Sequence, residues 1–143
     1  MRSSTTLAAL LATSGVLHFA RPRPFDTIVP HRLPGRPRTW TYLSGAAELA
    51  VAAAVAHPRT RALGGLGAAG LFAAVFPANV QMAVDWRHAS PGRRAVAYGR
   101  LPLQVPLVLW GLRVARAGQR ASARPVMPPL NRASMSARLG SDG

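Results

Sequence analysis

The chain has 143 residues, one domain by length, with 49% apolar and only 15% charged residues, a charge content low for a soluble domain. Cysteine is absent, which excludes a disulfide, a thiolate nucleophile and any sulfur chemistry run on the chain's own thiols. The formal charge of +14 comes from arginine without a single lysine, spaced between apolar runs and in the tail; that distribution points to anionic lipid headgroups and away from nucleic acid, at ~1 kcal/mol per arginine near a membrane surface.

Residues 3–19 form the first apolar segment, behind the single Arg2. No small-x-small cleavage site precedes Arg21 and three further apolar runs follow, so the segment reads as an uncleaved span and not a signal peptide. Residues 21–38, RPRPFDTIVPHRLPGRPR, are too rich in proline to form a regular helix. Phe25, Ile28, Val29 and Leu33 are too apolar for a fully solvated loop, so the connector is expected to fold back over the bundle as a partly re-entrant segment.

The second span, residues 39–56, opens with Trp40 and Tyr42 as interfacial anchors and contains Glu48 near the bilayer midplane. A lone carboxyl at that depth must be protonated, paired or turned to a polar cavity. After the basic turn His57-Pro58-Arg59-Thr60-Arg61 comes the third span, residues 62–84, uncharged and long enough to cross ~30 Å of hydrocarbon. Its small-residue pairs Gly65/Ala69 and Gly70/Ala74 let helix backbones approach closely, which places it centrally and offers a face for a homodimer. Pro77 kinks it, and Asn79 and Gln81 follow the kink in need of partners that lipid cannot supply.

Residues 85–100 read as a polar connector with a Pro91-Gly92 turn. Residues 101–117 make a short fourth span with Pro102 and Pro106 near its start and Arg113 and Arg116 snorkelling at its end. The remainder, 118–143, is rich in Arg, Ser and Pro and is expected to be a disordered tail. The fold expected is all-α, an integral four-helix membrane bundle in residues 1–117, multi-pass in the cell membrane. The arginines divide evenly between the two faces, and the dense 57–61 turn favours cytoplasmic termini.

Alternating spans put His18, Glu48, Asn79, Gln81 and Gln104 in one half of the bilayer, with Arg100 above them, while the opposite half is Ala, Gly, Leu and Val. That crowding suggests a ligand pocket under the connector; hydrogen bonding that merely ties the helices together is the plainer alternative. His18, His31 and His88 share this face, but no pair has metal-ligand spacing, so no metal site is assigned. No stand-alone catalytic constellation is visible.

As a set, His18-Phe19 with Pro22, Pro24 and Phe25, Ile28-Val29-Pro30 with Leu33-Pro34, Ser44-Gly45 with Glu48, Phe76-Pro77-Ala78-Asn79 with Met82-Ala83, and Arg100-Leu101-Pro102-Leu103-Gln104 resemble the DoxX-like family of small four-span membrane proteins, over about positions 15 to 110. The resemblance implies a subunit of a membrane oxidoreductase or oxidative-stress system, with quinone as the candidate cofactor and a partner subunit supplying any thiol chemistry. On that expectation His18 or Asn79 bonds a quinone carbonyl, Glu48 exchanges a proton and Arg100 stands at the mouth. A non-catalytic scaffold that recruits a peripheral protein through the tail or connectors is the alternative from a different class.

Overall fold

The computed structural model describes residues 2–123, and these are all-helical apart from turns. In chain order the helices are α1 (Arg2–Ala20), the single-turn α2 (Arg23–Asp26), α3 (Pro37–Ala56), α4 (Arg61–Asp85) and α5 (Pro91–Ser122). Prolines set most of the boundaries. Pro22 and Pro24 follow the end of α1, Pro58 follows the end of α3, and α3 and α5 each begin on a proline, where the missing N–H is no loss and the fixed φ suits the first helical turn.

Helix α5 corrects two expected boundaries. It starts at Pro91, so Pro91-Gly92 opens a helix where a turn was expected, and it runs to Ser122, past the expected start of the tail at 118. The rest of the expected disordered tail, from residue 124, lies outside the described residues. Hydropathy marks only the uncharged middle of α5, between Arg100 and Arg113, whereas the backbone stays helical through both arginine-bearing ends.

The four long helices pack as two antiparallel pairs, α1 with α3 and α4 with α5, joined mainly through α3 and α4, with a small contact between α1 and α5. Glycines set the spacing. A Cβ at Gly65 would strike the α5 backbone at Ala115, one at Gly111 would come within 2.7 Å of the Ala69 nitrogen, and one at Gly64 would strike the α3 backbone at Val55. The Gly65/Ala69 pair is therefore used inside the chain, with α4 between α3 and α5, while Gly70 and Ala74 face outward.

Two apolar clusters fill the interior. Leu7, Leu11, Ala52, Val55, Ala68 and Val114 occupy the end where α1 and α4 begin, and Met82, Ala83 and Ala97 occupy the other, covered by Ile28 of the 21–36 connector. By length and composition α4 is the one helix among the described residues that could cross a membrane. The others fall short for visible reasons: α1 carries Ser3, Ser4, Thr5, Thr6, Thr13 and Ser14, α3 carries Arg38 and Glu48, and arginines bracket the apolar part of α5.

Candidate functional site

Two buried polar pairs lie toward the connector end. The first joins α1 to α3. Gly45 brings these helices together, since a Cβ there would lie 2.7 Å from the His18 Cβ, and this close approach sets His18 beside Glu48, with Nδ1 3.4 Å from Oε2. His18 Nδ1 also lies 2.9 Å from the Ser14 carbonyl oxygen. A carbonyl only accepts, so Nδ1 carries a proton and directs it along its own helix. The Ser14 hydroxyl lies beside the Glu48 carboxyl. Glu48 Oε2 nevertheless has no hydrogen-bond partner and is fully enclosed.

The second pair joins α4 to α5. Asn79 Nδ2 donates to Gln104 Oε1 at 2.9 Å, and Gln104 Nε2 donates to the Phe72 carbonyl. This amide chain spans the region of Pro77, whose missing N–H leaves the carbonyl one turn earlier without its helical donor. Asn79 Oδ1 is buried without a partner. The site's orphan atoms, Glu48 Oε2 and Asn79 Oδ1, are thus both acceptors, and a buried acceptor without a donor costs about 1–3 kcal/mol.

Helix register relates the pairs. Gly67 faces Val51, and Gly111 faces Ala69, so Glu48 stands about level with Gly70 and Gln104 about level with Phe76, roughly 9 Å farther along the axis at the helical rise.

The connector closes the end above. Phe25 of α2 stacks on the His18 ring with centroids 3.8 Å apart. Asp26 accepts from Arg38 Nε at 2.8 Å and from the Thr41 hydroxyl at 2.7 Å, both on α3, and Trp40 Nε1 donates to the Pro34 carbonyl at 2.8 Å. The Arg38 guanidinium holds the Asp26 carboxyl below its ordinary value, against the opposing effect of partial burial, with the Thr41 hydroxyl helping.

Of the residues expected at the site, His18, Glu48, Asn79 and Gln104 are buried and form the two pairs. Arg100 is exposed and makes no hydrogen bond or ion pair with either pair. Gln81 is not brought in: its amide donates to Asp85 Oδ1 at 2.8 Å on the outside of α4. The histidines separate, His31 lying 3.8 Å from Asp85 Oδ2 and His88 accepting from Arg87, and no group of metal-ligating side chains gathers among the described residues. Phe25, Asp26, Thr41 and Ser14 join the site. Phe25 stands out in the sequence as an apolar residue of the connector beside the His18-Phe19 pair, and Asp26 by its place above the polar residues, whereas nothing in the sequence singles out Ser14 or Thr41.

A family model, the domain of unknown function DUF8561, matches residues 7–115. The chain belongs to the DUF8561 family. The matched region runs from the first turns of α1 to the last part of α5, so the DUF8561 domain contains both polar pairs and the connector that covers them. No curated protein and no solved structure matches the chain.

Proposed function

We propose that this DUF8561 protein is a multi-pass, DoxX-like membrane bundle that binds a quinone-class ligand as a subunit of an oxidoreductase or oxidative-stress system. The membrane reading is supported by what the helices leave outside. Only 28% of the most apolar stretch of α4 is buried within the chain, whereas a core helix of a soluble protein would be mostly covered. Leu17, Leu43, Leu66, Phe76, Val105 and Leu109, from all four long helices, are exposed, and a band of that size needs an apolar solvent.

The single observation that carries the ligand reading is Glu48: a carboxyl oxygen enclosed beside His18 with no donor of its own. Asn79 Oδ1 repeats the pattern. Two orphan acceptors favour a hydroxyl-bearing head group, the reduced quinol form, over a carbonyl-bearing one. Quinone chemistry couples proton transfer to electron transfer, and Glu48 is the group placed to hold or take such a proton at Oε2. His18, held by Ser14 and Phe25, keeps the carboxyl in position, and Arg100 supplies positive charge at the edge. Self-association through α4 belongs, on this reading, to the outward Gly70 and Ala74.

The test is native mass spectrometry of the full chain released from membranes in mild detergent. Wild type is expected to carry a quinone-sized ligand at about one per chain, lost from folded Glu48→Gln and His18→Ala. A wild type without ligand, or variants that keep it, would overturn the reading. A ligand-free bundle that instead retains a protein partner would point to the scaffold.

A further inference from the structure

The end of the bundle away from the connector contains a cavity of about 430 Å³ between the first turn of α1, the start of α4 and α5. Ser3, Ser4, Arg61 and Arg113 supply its polar lining, and Val114 and Ala117 its apolar wall. Arg61 is fixed there by α3: its Nε and Nη2 each donate, at 3.3 Å, to the Val55 and Ala56 carbonyls at the end of that helix. These two bonds leave Nη1 available to a ligand. Across the cavity Arg113 has no hydrogen-bond or ion-pair partner among the described residues, and it is exposed to the cavity and solvent. Ser3 accepts from Trp110 Nε1 at 2.7 Å, a bond that clasps α1 to α5 and leaves the Ser3 hydroxyl proton free to donate.

Charge balance sets this cavity apart. Among the described residues the acids are Asp26 and Asp85 at the connector end and Glu48 midway along α3, whereas Arg2, Arg59, Arg61, Arg113, Arg116 and Arg120 are at this end. No carboxylate among the described residues forms an ion pair with Arg61 or Arg113. Two guanidinium groups and a hydroxyl converging on one cavity match the oxygens of a phosphate, for which arginine provides fixed, fork-shaped donors. The apolar wall beside them matches the boundary between a phosphate and an attached hydrocarbon.

We infer that this cavity is an anion site for a phosphate group held by Arg61 and Arg113, carried either by an anionic lipid headgroup or by a free phosphate. This goes beyond the quinone reading and does not depend on it, since the two sites share no residue.

The test uses the full chain in detergent micelles, titrated in one arm with phosphatidylglycerol and in the other with inorganic phosphate, each followed by native mass spectrometry, with phosphatidylcholine as the zwitterionic control. Arg113→Gln is expected to weaken the bound species about tenfold, the loss of a charge-assisted contact, while Arg120→Gln, on the same helix but outside the cavity lining, leaves it unchanged. Retention of phosphatidylglycerol alone identifies a headgroup; equal retention of inorganic phosphate identifies a free anion. Binding that is unchanged in Arg113→Gln, equally weakened in Arg120→Gln, or absent in wild type for both probes overturns the assignment.

Discussion

From the middle of the bundle to the connector end polar side chains lie inside and the acids of the described residues are found, while at the other end the interior is mainly apolar, Ser4 apart, and the surface carries arginines without an acid. The same four helices thus solve two different problems. Where α4 meets α5 near Gly65 and Gly111, small residues allow backbone contact and dispersion holds the pair. Where they pass Asn79 and Gln104, an amide pair does the joining and leaves an acceptor unsatisfied. Tight apolar packing explains itself as structure. Buried acceptors without donors do not, and that asymmetry places the ligand reading at the connector end.

The largest effect should come from attacking the packed end. Gly65→Leu drives a side chain into the α5 backbone at Ala115, and because both partners are rigid the cost should reach about 3 kcal/mol or more. Gly70→Ala, with nothing within 4 Å of the added methyl, should instead stabilise α4 by about 0.5–1 kcal/mol through helix propensity. Thermal unfolding in detergent reads both. Equal tolerance of the two substitutions would show that α4 is not wedged between α3 and α5.

An intermediate effect distinguishes glue from site at the connector end. Asn79→Leu leaves Gln104 Oε1 without its donor and should cost about 1–3 kcal/mol. The double change Asn79→Leu with Gln104→Leu removes both partners and should recover most of that loss, a coupling measurable as a double-mutant cycle. If the recovered double variant still retains the quinone-sized ligand, the amide pair only joins helices and the binding reading contracts to Glu48 and His18. If it folds but has lost the ligand, the pair belongs to the site.

The contrast between the ends is partly legible in the sequence. Alternation of four apolar runs is enough to put His18, Glu48, Asn79 and Gln104 in one half, because span direction fixes depth. It does not fix azimuth. Gln81 lies two residues beyond Asn79, which turns it to the far side of a helix with 3.6 residues per turn, and Asp85, one turn farther, is there to receive it. Depth without azimuth therefore puts one residue too many in the site. The start of α5 is hidden for another reason: Ser90-Pro91 begins a helix as readily as a turn, and arginines bring hydropathy down without breaking helical backbone. The stacking of Phe25 on His18 has no sequence signal, since it depends on how the connector folds over the bundle.

The smallest effect sharpens the comparison at the roof, where the acid of α2 is clipped to α3. Arg38 holds the Asp26 carboxyl below its ordinary value, so between the folded and unfolded values the unfolded chain binds more protons, and stability rises with pH through that interval. The contribution is fully present above about pH 4, the unfolded aspartate value, and is lost as pH falls through the lower folded value. Both partners are partly exposed, at 21% for Asp26 and 44% for Arg38, so solvent and salt screen the pair and the effect is small. Trp40 reports it, because its indole bonds the connector at Pro34 on the helix that also carries Arg38 and Thr41. Its fluorescence should titrate below pH 4 in wild type and lose that transition in Asp26→Asn, with the arginine-rich end unaffected. A transition that survives in Asp26→Asn would assign the acid response to another group and release the roof from this clip.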